Sequence, residues 1–276
     1  MPTQAEKAAI FQSLHQQSKP LLVANPWDAG TACILAALGF EALSTTSGGL
    51  AVTLGRRDGT ASITRDEALA NAKSIVDATH LPVAADLENG YGDSAEAAAE
   101  TIRLAAEAGL VGASIEDATS DDKKPIYDFD HAVERVAAAA EAALALPFPF
   151  MFVARAENYL HGRPDLDDTI RRLQAFEKAG AEVLYAPGLT RPEDIKAVCS
   201  SVSKPVNVLA ALKGAVQLSV ADLAALGVRR ISLGSALSRA ALTAFIRASR
   251  EIKEQGTFTF AADTYSLGAI TDFCHD

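Results

Sequence analysis

The sequence is poor in the residues that make covalent staples, zinc sites and membrane spans. Its three cysteines, Cys33, Cys199 and Cys274, stand far apart, with no Cys-x-x-Cys pair and no Cys/His metal spacing. An odd, scattered set argues against a disulfide framework. Cys33 and Cys199 fall in helix-like apolar stretches, where buried structural thiols are expected. No apolar run approaches the ~20 residues of a bilayer-spanning helix. The opening residues Thr3, Gln4, Glu6 and Lys7 are polar or charged, unlike a signal peptide, so a cytoplasmic protein is expected. Lys/Arg-rich runs are missing, and the net charge is -10 with a pI of about 5.0. Nucleic acid and anionic membranes are therefore poor partners for this surface. There is no Gly-x-Ser-x-Gly elbow and no phosphate-loop lysine motif. No lysine lies inside the fifth, sixth or seventh expected strand, which disfavours Schiff-base chemistry; Lys204 precedes the seventh.

What is present suits a large core: 276 residues, 49% hydrophobic and 22% charged. Short β-rich runs at 21–25, 42–46, 82–87, 112–116, 150–155, 183–186, 205–209 and 229–233 alternate with amphipathic stretches. The latter include 94–108, 130–145, 167–179, 191–200 and 220–225. Eight such units in ~250 residues predict a single (β/α)8 barrel. Ser94 is positioned as a helix cap, and Gly109, Gly180 and Gly227 as helix ends. Residues 4–17 predict an extra helix under the barrel, 236–253 a last helix, and 257–276 an extension with no place in a closed monomer. A doubly wound open sheet is the alternative. Its glycine-rich turn is missing where the first strand runs into Asn25-Pro26-Trp27-Asp28-Ala29-Gly30.

The most informative stretch is Pro82-Val83-Ala84-Ala85-Asp86-Leu87-Glu88-Asn89-Gly90-Tyr91-Gly92. Strand alternation would put Asp86 and Glu88 on one side, a costly pairing unless a cation or water shares them. In a barrel the chemistry sits at the C-terminal strand ends. Those positions hold Asn25 and Asp28, Ser47-Gly48-Gly49 followed by Gly55-Arg56-Arg57-Asp58-Gly59, Asp86 and Glu88, and Glu116 and Asp117. They continue with Arg155 and Glu157, Tyr185-Ala186-Pro187-Gly188, Asn207 and Gly234-Ser235. An all-oxygen carboxylate set suits Mg²⁺ or Mn²⁺. Arg155 is suited to a bidentate hold on a substrate carboxylate, and the 47–49 turn to binding an oxyanion through its N–H groups. Gly234-Ser235 is either a phosphate site or plain packing. Asp28 and Asp117 fit helix caps or salt bridges, and His161 a solvated loop.

These motifs, in this order, resemble the isocitrate lyase / phosphoenolpyruvate mutase superfamily over residues 21–242. The resemblance rests on Ser47-Gly48-Gly49, Gly55-Arg56-Arg57-Asp58, the 86–92 segment, Gly112-Ala113-Ser114-Ile115-Glu116-Asp117 and Val153-Ala154-Arg155-Ala156-Glu157. It implies a Mg²⁺-dependent enzyme that makes or breaks a bond beside an enolpyruvate-like α-oxo acid. It implies Asp86 as direct metal ligand, with Asp58, Glu88 and Glu116 completing the metal set. Ser47, Gly48, Gly49, Asp86, Arg155 and Asn207 form the substrate-binding set. Asp58, Glu116, Arg155, Tyr91 and Lys123 are the catalytic candidates. The resemblance further implies a late helix swapped between subunits of a homodimer or homotetramer, which gives 236–276 a role in assembly.

One segment departs from the pattern. The family's isocitrate and methylisocitrate lyases carry a Lys-Arg-Cys-Gly-His loop whose cysteine is the acid. Here the segment reads Ala118-Thr119-Ser120-Asp121-Asp122-Lys123-Lys124-Pro125-Ile126-Tyr127, without cysteine. Lys123, Lys124 or Tyr127 are the loop's alternatives as gate or donor, beside a solvated charge run. Three functions follow: a carbon–carbon lyase or decarboxylase on a small 2-oxo or 2-hydroxy di- or tricarboxylate, a phosphonopyruvate-type hydrolase or mutase, and a non-catalytic α-oxo acid binder.

Overall fold

The computed structural model describes residues 1–119, 121, 123–212 and 217–274. Ser120 and Asp122 of the cysteine-free segment lie outside the described residues. Eight parallel strands pair in the order β1-β8-β7-β6-β5-β4-β3-β2. They are β1 Leu21–Val23, β2 Leu43–Ser44, β3 Val83–Asp86, β4 Gly112–Glu116, β5 Met151–Arg155, β6 Val183–Tyr185, β7 Val206–Leu209 and β8 Arg230–Ser232. A single bridge, Ala24 to Leu43, joins β1 to β2 and brings the sheet nearly to closure. The expected (β/α)8 barrel is what the chain forms.

The seam is short, and a side chain reinforces it. Asn25 Nδ2 donates to the Ser44 and Thr45 carbonyls, while its Oδ1 accepts from the Leu233 and Gly234 amides. One buried carboxamide thus ties β1 to both neighbours, meeting backbone groups that the brief ladder leaves over.

Helix ends follow local chemistry. Thr3 and Thr64 form capping boxes at α1 (Gln4–His15) and α4 (Arg65–Asp77), and Asp28 caps α2 (Ala29–Ala37), as its spacing suggested. Ser94 caps α5 (Ala95–Glu107), and Gly109 leaves it with φ +94°. α6 (Phe129–Leu144), α7 (Leu166–Lys178), α8 (Pro192–Ser201) and α9 (Val220–Ala225) complete the ring. The opening helix closes the barrel bottom: Ala8, Phe11 and Leu14 join the interior cluster of Leu21, Val23, Val111, Val153, Val183 and Tyr185.

Two expectations need correction. Ser47-Gly48-Gly49 is the first turn of a helix, α3 (Ser47–Thr53), capped by Thr46, and not a free-standing turn. Two adjacent glycines lower helix propensity, so local pattern hid it. Cys33 and Cys199 are half-buried, not buried. Among the described residues no helix is long and apolar enough to cross a membrane.

The last helix, α10 (Ala236–Gln255), buries only Ser238. The remainder of the described tail forms short turns, α11 (Leu267–Thr271) among them, and its end lies against α2. Phe245 and Leu267 are 67% and 78% exposed.

Candidate active site

Register places the site. Across the ladder, Glu116 pairs with Arg155, Arg155 with Tyr185, Tyr185 with Asn207, and Asn207 with Arg230. Strands in a closed barrel are staggered. The row therefore starts at the last residue of β4 and reaches the first residue of β8, running from rim to floor. From Arg155 onward it borders a cavity of about 160 Å³, also bounded by Ser47, Gly48, Asp58, Asp86, Ser114, Ser232 and Gly234. That is close to the ~150 Å³ that admits a benzene ring.

Asp86 is the hub at the rim. Its Oδ2 accepts from Ser47 Oγ at 2.8 Å and Ser47 N at 3.3 Å; its Oδ1 accepts from Arg155 Nη1 at 2.8 Å. Arg155 also meets Glu116 through Nη2 at 2.9 Å and Glu157 through Nε at 2.8 Å. Burial opposes its charge, but Glu116, Glu157 and Asp86 keep it firmly protonated. The Arg155 fork thus binds three protein carboxylates, and one N–H on each terminal nitrogen is left for substrate.

Asp58 and Glu88 crowd this cluster. A Cβ on Gly48 would stand 2.8 Å from Asp58 Oδ2, so the glycine is what lets this carboxyl lie against α3. Asp58 is exposed as a residue but lines the cavity, and its carboxyl is pushed up by partial burial there and then by Asp86. Burial, then Asp86 and Asp58, push Glu88 up to about 7. Burial drives Glu116 well up against the pull of Arg155, and raises Glu157 to about 7.

Asp86 and Glu88 converge, but not by strand alternation. β3 stops at Asp86, and Glu88 (φ +47°) and Tyr91 (φ +58°) adopt the left-handed conformation that L-residues avoid. Such backbone persists only where its surroundings over-determine it. Here Arg135, buried in α6, donates to the carbonyls of Asn89, Gly92 and Ser94, and Thr101 Oγ donates to that of Gly90. Arg135 escaped sequence reading because it lies mid-helix, far from any strand end.

An oxygen-only set carrying excess negative charge fits a hard divalent cation. Among the described residues no three acids, histidines or cysteines converge into a ready cage. At the start of α3, Ser47 N is taken by Asp86 and Gly49 N by Thr46 Oγ. Among the described residues Gly48 N has no partner, which leaves it as the amide available to a ligand.

The chain has known relatives. Residues 11–253 match the phosphoenolpyruvate phosphomutase model. The chain belongs to that family. Its likeness extends to a solved Burkholderia cenocepacia J2315 protein described only as a lyase/mutase: 54% identity over 99% of this chain and 97% of that one, TM-score 0.95. The 2-methylisocitrate lyase of Escherichia coli K12 is 27% identical over 92% of this chain and 87% of its own. A solved phosphonopyruvate hydrolase, in complex with oxalate and Mg²⁺, has the same fold at 22% identity and TM-score 0.86, covering 97% of this chain and 94% of that one. Members of the superfamily are lyases and mutases, and this chain is an enzyme of that type.

The remaining candidates are dispersed. Tyr91 lines a neighbouring space with Glu88 and Asn89, its phenol pushed up by burial and by Glu88, Asp86 and Glu116, so it keeps its proton. Lys123 is exposed, between the bridged residues Ala118 and Ile126, and among the described residues only its backbone N–H is bonded, to Asp121. Lys124 pairs with Asp128 at the surface, and Tyr127 donates to Asp93 at 2.6 Å. His161 is exposed. Asn207 lines the cavity and donates to Ser232 Oγ at 2.9 Å. Asp117, beside Glu116 in sequence, points to the other side of the sheet and pairs with Arg172 at 2.9 Å.

Proposed function

We propose that the protein is a Mg²⁺-dependent carbon–carbon lyase or decarboxylase that cleaves a small 2-oxo or 2-hydroxy di- or tricarboxylate through a metal-stabilised enolate. The observation that carries this reading is the excess of carboxylates around Asp86 at the rim of a small polar cavity. Asp86 would hold the ion directly, and Asp58, Glu88 and Glu116 would hold its waters. The ion supplies Lewis-acid stabilisation of charge that develops on an α-oxo oxygen.

The chain's own groups do the rest. Gly48 N–H and the spare Arg155 N–H groups orient the α-oxo carboxylate. Arg155 keeps Asp86, Glu116 and Glu157 in place, so the acids are set before substrate arrives. From a 2-oxo acid the other carbon leaves as CO2 and the electron pair stays on the α-oxo fragment as its enolate. From a 2-hydroxy acid the hydroxyl gives its proton to a carboxylate of the cluster and becomes the α-oxo carbonyl, and the pair passes to the other carboxylate fragment. The fragment that holds the pair then takes a proton. Tyr91 Oη, protonated and beside Glu88, is our donor in place of the family's loop cysteine. Lys123 is too exposed to share that role in this conformation.

The test is a mass-spectrometric screen of oxaloacetate, methylisocitrate, substituted malates and phosphonopyruvate with Mg²⁺, run on native protein and Asp86→Ala. The expected result is Mg²⁺-dependent cleavage of a dicarboxylate or tricarboxylate by the native protein alone. Phosphate release from phosphonopyruvate would replace this reading with P–C chemistry. Binding of an α-oxo acid without turnover of any compound would replace it with a sensor.

For assembly, we infer that α10 and the tail pack against a second copy, because α10 buries one residue while showing Phe245, Ile246 and Ile252 to solvent. Sedimentation of native protein as a dimer or tetramer is expected, and a monomer at micromolar concentration would refute it.

A further inference from the structure

The floor of the cavity holds a cation without an anion. Arg230 is 4% exposed, lines the cavity, and has neither Nε nor Nη1 bonded among the described residues. Burial lowers it to about 10, still charged at neutral pH, and the Tyr185 phenol is the one group that pulls it upward. Among the described residues no carboxylate acts on it. The Phe11 ring centroid lies 5.8 Å from its guanidinium carbon, and burial, aided by Arg230, brings His15 down to about 4, so that imidazole is neutral. Beside it in register, Asn207 has a second unpartnered polar atom, Oδ1. Ser232 Oγ can accept from Asn207 or donate to it, so the carboxamide can turn either end toward the cavity.

A buried guanidinium without a counter-ion is costly, and among the described residues the Phe11 ring and the Tyr185 phenol are the groups against it that offset this. It contrasts with Arg155, three strands away on the same row, whose charge is met by three acids. Resting on the reading above, we propose that Arg230, with Asn207 and Tyr185, forms a second anion subsite that takes the distal carboxylate of a short dicarboxylate substrate. The α-oxo end would lie at the rim, between Gly48 and Arg155, and the far carboxylate would reach down the row to the floor. The site would then select two carboxylates over one.

Calorimetric titration of the Mg²⁺-loaded protein with pyruvate and with oxaloacetate tests this. The native protein is expected to bind oxaloacetate about tenfold or more tighter than pyruvate, the scale of a charge-assisted bidentate contact. Arg230→Gln is expected to abolish that preference and leave pyruvate within twofold, while Arg230→Lys retains part of it. Loss of both ligands in equal measure, or of neither, overturns the subsite while Mg²⁺-dependent pyruvate binding upholds the enolate site. Failure of native protein to bind either ligand overturns both. Arg230→Met adds a reading that a structural role would reverse: its melting temperature without ligand should equal or exceed the native value. A marked fall would show that Arg230 holds the barrel together instead.

Discussion

Two arginine-centred acid clusters stand back to back at the ends of β4 and β5, and they balance charge differently. Facing the cavity, Arg155 meets Asp86, Glu116 and Glu157, with Asp58 and Glu88 close by. Behind the strands, Arg172 meets Asp117 at 2.9 Å and Asp168 at 2.9 Å. There the Glu157 amide donates to Asp117, Asn158 Nδ2 donates to Asp168, and Arg172 also donates to the Tyr127 carbonyl. The rear cluster is almost neutral and hydrogen-bonded throughout, which is what a buried ion pair needs to persist. The front cluster has five acids for one cation, on strained backbone. Adjacent residues Glu116 and Asp117 belong to different clusters because strand side chains alternate. On the proposed reading, charge in excess marks the place where a cation is wanted, and charge in balance marks structure.

The largest expected effect breaks the front cluster. Asp86→Ala should lower Mg²⁺-dependent turnover about 10³-fold or more, with a melting temperature near the native value. Unchanged turnover in a coupled assay would remove the metal reading. The rear cluster should respond in the opposite sense. Arg172→Ala leaves Asp117 buried and alone, and should cost about 3–5 kcal/mol in urea unfolding; loss of activity with unaltered stability would contradict its structural role.

A smaller change separates close approach from charge. Gly48→Ala sets a methyl against Asp58, and should reduce turnover about 10²-fold without loss of stability, since alanine favours the helix. Native-like kinetics would mean that Asp58 need not lie there.

The mildest test is pH. Glu88 and Glu157 rise from 4.5 to about 7 on folding, so the folded protein binds more protons in that window. Metal-free stability should therefore fall as pH climbs from about 5 to above 7. Asp168 falls from 3.8 to about 2, so its contribution is present above 3.8 and is lost as pH drops toward 2. Thermal melts of metal-free protein should peak near pH 5, and saturating Mg²⁺ should flatten the decline on the alkaline side. A stability that rises steadily to pH 8 without metal would show that the front acids are not in excess.

Much of this was legible in the chain. Asp86, Glu88, Glu116 and Arg155 announce themselves as charged residues closing apolar runs. Asp28 and Ser94 announce helices because capping is a contact over three residues. The start of α3 was not legible, since paired glycines read as a turn. The left-handed Glu88 was hidden too, because Arg135 and Thr101 impose it from distant elements. Arg230 opens a strand whose chemistry was sought at its other end. Its neighbour Arg229 turns outward to the Ser18 carbonyl, and only alternation tells the two apart.

By itself the sequence determined the barrel, the order of its elements and the acidic character of its rim, because periodicity, capping and strand-end position are local properties. Tertiary structure decided which acids are in excess, which are paired, and that an unpaired cation lies beneath Asn207. Charge balance and depth are set by register across staggered strands, and no local pattern carries that information.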